Sequence, residues 1–186
     1  MTELASPGQL RASLMRWALV LVPGVLLLGT LSGRLAQSGP DNAWFAALVK
    51  PGIYPPPAAF GIVWTLLYVL MGLALAMIVT ARGAPGRGLA IGVFALQLVL
   101  NLAWSPLFFG LQQITYSLYL LLAIDLGVLL TVVLFWWVRP LAAALLLPYL
   151  AWVLFATLLN WQFLGANPGA DGPLGGGEAV QTVEFK

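Results

Sequence analysis

The sequence contains neither cysteine nor histidine, and only 8% of its 186 residues are charged. Without cysteine there are no disulfides and no thiolate metal sites, and the redox state of the compartment leaves no trace. Without histidine the commonest metal and haem ligand and the commonest general base are missing together. The scarcity of charge, against roughly a quarter of residues in an average soluble domain, excludes a water-facing globule. What is present in excess is apolar: 61% of residues, with a mean hydropathy of +0.97. The chain therefore reads as an all-α integral membrane protein, multi-pass, with the lipid bilayer as its first partner and no nucleic acid expected.

Crossing about 30 Å of hydrocarbon takes about 20 helical residues. Apolar stretches of that length are predicted as helices over about 17–35, 59–81, 89–110, 114–138 and 141–164. The expectation is a five-helix membrane domain over 17–164, preceded by an N-terminal segment 1–16 and followed by a flexible tail over 165–186, rich in glycine and without apolar periodicity. A signal peptide competes for the first span, since Arg11 and Arg16 precede its apolar core. No small-x-small cleavage site closes it, however, and Arg34 stands where one would end. With alternating spans, Arg11, Arg16, Arg82, Arg87 and Arg139 share one side and Arg34, Lys50 and Lys186 the other, which favours a cytoplasmic N-terminus.

The connection between the first two spans, SGPDNAWFAALVKPGIYPPPAAF, is long for a membrane loop. Prolines at 51, 55, 56 and 57 restrict its backbone, and Trp44, Phe45 and Tyr54 give it aromatics that need cover. A structured lid over the bundle is expected, with an interfacial loop lying among headgroups as the other reading.

Three spans carry stripes in which indoles mix with hydrogen-bonding groups. At helical spacing, Gly61, Trp64, Tyr68 and Met71 share a face of the second span. Gln97, Asn101, Trp104 and Phe108 share one on the third, and Tyr149, Trp152, Ala156 and Asn160 one on the fifth. Trp64 and Trp104 suit an interfacial belt as well as a site. Trp152 and Asn101 fall near mid-membrane, where an unpartnered polar group is costly; for Asn101 and Gln97 interhelical glue is the plainer role. Taken jointly, the stripes converge in the membrane half beneath the proline-rich loop and describe a covered aromatic cavity. Ser105-Pro106 adds a freed carbonyl and a bend at one wall.

The runs KPGIYPP, WTLLYVLMG, QLVLNLAWSPLFFG and PYLAWVLFATLLNW resemble the translocator protein family, also called tryptophan-rich sensory proteins or peripheral-type benzodiazepine receptors, from about Lys50 to Trp161. The resemblance implies a five-helix bundle, commonly a homodimer, that binds porphyrins, sterol-like lipids or benzodiazepine-site drugs beneath the first loop. It implies a receptor or sensor, with a tetrapyrrole or lipid transporter and a light-dependent porphyrin-degrading protein as alternatives. No cofactor is required and no catalytic residue is expected, porphyrin or haem entering as a ligand. A bacterial cell membrane is the implied location, with the outer membrane as the alternative. The residues expected at the ligand are Tyr54, Phe60, Trp64, Tyr68, Asn101, Trp104, Tyr149, Trp152, Ala156, Leu159 and Asn160.

Some positions depart from the family pattern. Ile53 and Ala58 stand where the family's loop often has tryptophan, leaving the lid fewer rings for a planar ligand. Asn160 to Pro168 supply neither the tyrosine nor the cation of the proposed cholesterol motif. Asp125 is the one acid inside a span, a functional candidate by default, with protonation or a hydrogen bond to a neighbouring helix as the plainer account. Gly29-x-x-x-Gly33 and Gly88-x-x-x-Gly92 allow close backbone approach. Because the family dimerises largely through its third helix, Gly92 is the expected interface residue.

Overall fold

The computed structural model describes residues 6–172. Its helices are α1 (Pro7–Leu35), α2 (Ala43–Ala47), α3 (Pro57–Val79), α4 (Arg87–Ser105), α5 (Ile114–Val138) and α6 (Pro140–Ala166). A π-helical turn, Pro106–Gly110, continues α4. Five of these helices are long and apolar enough to cross a membrane, and the protein is a multi-pass membrane bundle.

The first helix begins at Pro7 and not at Trp17. Hydropathy marks only its apolar core, whereas its start is set by a capping box: the Gln9 amide donates to Ser6 Oγ at 3.3 Å, and the Ser6 amide to Gln9 Oε1 at 2.8 Å. Arg11 and Arg16 are therefore exposed helical residues rather than part of a separate segment. Proline at the first turn likewise sets the starts of α3 and α6.

Around the bundle, α3 packs between α1 and α6, α5 between α6 and α4, and α4 meets α1 over a shorter seam. The α1–α3 seam is tight because two glycines make it so. A Cβ on Gly72 would lie 2.6 Å from Val22 Cα, and one on Gly29 would lie 2.1 Å from the Tyr68 ring. Gly29 thus serves packing within the chain, which is the plainer use of such spacing in membranes. The shorter α4–α1 seam has a polar fastening. Pro106 has no N–H to offer the Leu102 carbonyl one helical turn earlier, and the Ser32 hydroxyl of α1 donates to that carbonyl at 2.6 Å.

The loop between α1 and α3 is a structured lid. Trp44 and Phe45 of α2 are buried with Leu48, Phe108, Ile114, Leu159 and Phe163 in a second apolar cluster above the main core. At 2% and 3% exposure the two aromatics do not lie among headgroups. Lys50 sits 4.2 Å from the centre of the Phe45 ring and donates to the Phe45 carbonyl and, at 2.9 Å, to that of Leu48. Burial lowers its pKa from the ordinary lysine value.

The segment after α6 corrects the expectation of a flexible tail from 165 onward. Helix α6 runs to Ala166, and the following residues hold the lid. Asn167 Oδ1 accepts the Val49 amide at 2.7 Å and its Nδ2 donates to the Val49 carbonyl at 3.0 Å. The Trp44 indole donates to the Ala170 carbonyl at 3.1 Å, and Asp171 accepts the Ile114 and Thr115 amides at the start of α5. Backbone groups with such partners do not fray. The remainder of the expected tail, 173–186, lies outside the described residues.

Candidate functional site

Below the lid lies a cavity of about 660 Å³, within the size range of small-molecule sites. Helix α3 supplies Phe60, Trp64 and Tyr68, spaced four residues apart and so stacked along one face. Trp64 lies on Tyr68 with ring centres 5.2 Å apart. From α4 and its π-helical turn come Asn101, Trp104 and Phe108, the two rings stacked at 4.9 Å. Helix α6 adds Trp152, Ala156, Leu159 and Asn160. Tyr54 descends from the lid, 5.4 Å from Phe60 and 5.9 Å from Phe163 between ring centres. Burial raises the pKa of its phenol from the ordinary tyrosine value.

Every expected site residue but one thus lines the cavity. The exception is Tyr149, which is fully buried behind the wall. Its ring centre lies 6.3 Å from that of Trp64, and its hydroxyl donates to Gln97 Oε1 at 2.9 Å. A stripe read from spacing cannot separate a lining residue from one a turn deeper that supports it. Asn101 accepts from the Tyr68 hydroxyl at 3.4 Å, while Asn160 Nδ2 donates to the Ile114 carbonyl at 3.0 Å.

Helix α1 was missed. Gly29, Thr30, Gly33 and Arg34 line the cavity together with Gln37, Ser38 and Asp41 just beyond the helix. That helix has no stripe of indoles and amides; its one signal was the glycine spacing. Phe45, Phe108 and Phe163 also line the cavity. Of the α1 and α3 lining residues, Thr30, Arg34, Pro57, Gly61 and Thr65 are exposed, so the mouth runs along the lid-side half of the α1–α3 seam. Ile53 and Ala58 do not line it.

Three buried polar atoms on lining residues have no hydrogen-bond partner among the described residues: Trp104 Nε1, Trp152 Nε1 and Asn160 Oδ1. Buried polar groups are nearly always paired, and an unmade bond costs about 1–3 kcal/mol. These atoms are buried within the wall, so what the cavity offers a ligand is mainly the faces of its aromatic rings. Asp125 belongs elsewhere. The Thr157 hydroxyl of α6 donates to its Oδ2 at 2.8 Å, the interhelical bond of the plainer reading, and it does not line the cavity.

Comparison with known proteins finds relatives along most of the chain. The model of the TspO/MBR family matches residues 19–165. The tryptophan-rich protein TspO of Chlorobaculum tepidum is 38% identical over 152 residues, covering 81% of this chain and 96% of that protein. The translocator protein of Homo sapiens is 38% identical over 144 residues, covering 76% and 85% respectively. The tryptophan-rich sensory protein of Cereibacter sphaeroides is 34% identical over 153 residues, covering 82% and 94%.

Proposed function

The chain belongs to the TspO/MBR family, a membrane sensor or receptor of the translocator protein kind, and from that premise we propose that it captures a flat hydrophobic ligand of the porphyrin or benzodiazepine-site class in the cavity beneath the lid. The observation that supports this reading best is the set of aromatic rings, Trp64, Tyr68, Trp104 and Trp152 among them, that line the 660 Å³ cavity. Aromatic faces supply stacking area for a flat ligand. Sterol-like lipids, which are not aromatic, would gain less from these flat faces. A receptor role accords with the relatives' names, which describe translocator and sensory proteins. Light-driven chemistry on a bound porphyrin would be a side reaction of Trp64 and Trp152, both on the wall. A homodimer through α4 is part of the same proposal, since Gly92 faces outward with nothing near its Cα substituent position.

The test is a quenching titration in mild detergent with protoporphyrin and with a benzodiazepine-site ligand, on the parent and on Trp152→Leu. The variant should fold and bind both about tenfold more weakly, having lost stacking area worth about 1.4 kcal/mol. Unchanged affinity would refute the proposed site.

A further inference from the structure

The mouth of the cavity carries two charged residues, Arg34 at the end of α1 and Asp41 in the loop, and they do not pair with each other. A basic residue in the last turn of a helix ordinarily serves the helix, by bonding its last carbonyls or offsetting its dipole. Here three of the four terminal carbonyls are already taken by the backbone. The Ala36 amide donates to Ser32 at 3.1 Å, that of Gln37 to Arg34 at 3.0 Å, and that of Ser38 to Gly33 at 3.0 Å. The Arg34 guanidinium itself makes no hydrogen bond or ion pair among the described residues. It stands on the exposed rim of a cavity whose interior is aromatic.

Resting on the cavity reading above, we infer that Arg34 is a specificity-determining anchor for a carboxylate. The ligand class is then a flat hydrophobe bearing an anionic group at one edge. Its rings insert between α3, α4 and α6, and its carboxylate remains at the mouth, where the planar guanidinium can bind it with two parallel hydrogen bonds. Asp41 repels an anion on the loop side of the same mouth, so the carboxylate seats against α1. Full burial is not required of the charge, which avoids the desolvation cost that a carboxylate deep in the membrane would meet.

A lipid phosphate could engage the same guanidinium, and the experiment separates the two sources. Protoporphyrin, which carries two carboxylates, and its dimethyl ester, which carries none, are titrated by quenching in non-ionic detergent against the parent, Arg34→Gln, Arg34→Lys and Asp41→Asn. For the acid, R34Q should weaken binding about three- to tenfold, the span between an exposed ion pair and a partly desolvated one. R34K should recover part of that loss, and D41N should tighten binding. For the ester, all three variants should stay within about twofold of the parent, and the acid's advantage should shrink in about 1 M salt. Equal loss of acid and ester with R34Q would overturn the inference, because Arg34 would then shape the cavity and not read charge. It would also be overturned if R34Q left both ligands unchanged in detergent yet removed a dependence on anionic lipid in nanodiscs, since the guanidinium would then serve a headgroup. Failure of both ligands to quench the parent would instead refute the cavity reading on which the inference rests.

Discussion

The hydroxyl of Ser32 offers a sharp test of how the cavity wall is held. Pro106 deprives the Leu102 carbonyl of its helical donor, and Ser32 replaces that donor from a different helix at 2.6 Å. Substituting Ser32→Ala removes a bond of the interhelical kind, which averages about 0.6 kcal/mol in membranes and reaches about 1.7. The short distance and the acceptor's lack of its usual partner place this bond in the upper part of that range, so about 1–1.5 kcal/mol is expected. For a chain of this length that corresponds to a fall of roughly 2–6 °C in Tm. Circular dichroism in mild detergent measures it. The decisive arm is a double-mutant cycle with Pro106→Ala, which restores an N–H able to bond Leu102 within the helix. In that background Ser32→Ala should cost less than half as much, because the carbonyl no longer depends on α1. An equal cost in both backgrounds would show that Ser32 acts by packing alone and would refute the argument from proline.

Three further outcomes follow from contacts already described. Gly29→Ala should destabilise the bundle by about 2 kcal/mol or more, since the added carbon would meet the Tyr68 ring at 2.1 Å. Gly33→Ala, whose added carbon finds its nearest neighbour at 4.0 Å, should be tolerated, and similar Tm values for the two would refute the tight seam. Asn167→Ala removes both bonds to Val49 and should speed proteolysis within the lid and ligand release while leaving the bundle's helix content unchanged; an unaltered cleavage rate would deny the segment after α6 its holding role. Gly92→Leu should convert a dimer to a monomer by mass measurement in mild detergent, an unchanged dimer placing the interface elsewhere.

Much of this architecture was legible in the sequence because a bilayer enforces simple rules. Span length located five helices, and helical spacing gathered three stripes at the cavity. What escaped has a common physical cause: it depends on contacts between segments distant in the chain. The start of α1 was hidden because hydropathy does not register a capping box. The order after α6 was hidden because Asn167 and Asp171 find their partners at Val49 and at the start of α5, and no local pattern announces such bonds. The α1 wall was hidden because glycine and threonine line a cavity by leaving space, without a signature of their own.

The stripe on α4 shows why spacing alone leaves a role open and how structure divides it. Gln97 and Asn101 share a face and a depth that suit either interhelical glue or a ligand site. Gln97 is 1% exposed, bonds to Tyr149 behind the wall and does not reach the cavity, whereas Asn101 lines it and receives only a long 3.4 Å bond from Tyr68. The two should therefore respond oppositely to the same substitution. Gln97→Leu leaves the buried Tyr149 hydroxyl without its acceptor, at about 1–3 kcal/mol, and removes the unpartnered Gln97 Nε2, which offsets part of that. A net loss of about 1 kcal/mol in stability is expected, with ligand affinity inside about twofold of the parent. Asn101→Leu gives up only a weak bond, so stability should change by less than about 0.6 kcal/mol, the membrane average. Its ligand affinity should change several-fold, because an amide on the wall is replaced by a branched alkyl group. Unfolding midpoints and quenching titrations on both variants read the two quantities separately. If Gln97→Leu abolished binding at unchanged stability, or Asn101→Leu unfolded the bundle without altering affinity, the division between wall and support would be wrong, and the cavity's polar groups would have to be reassigned.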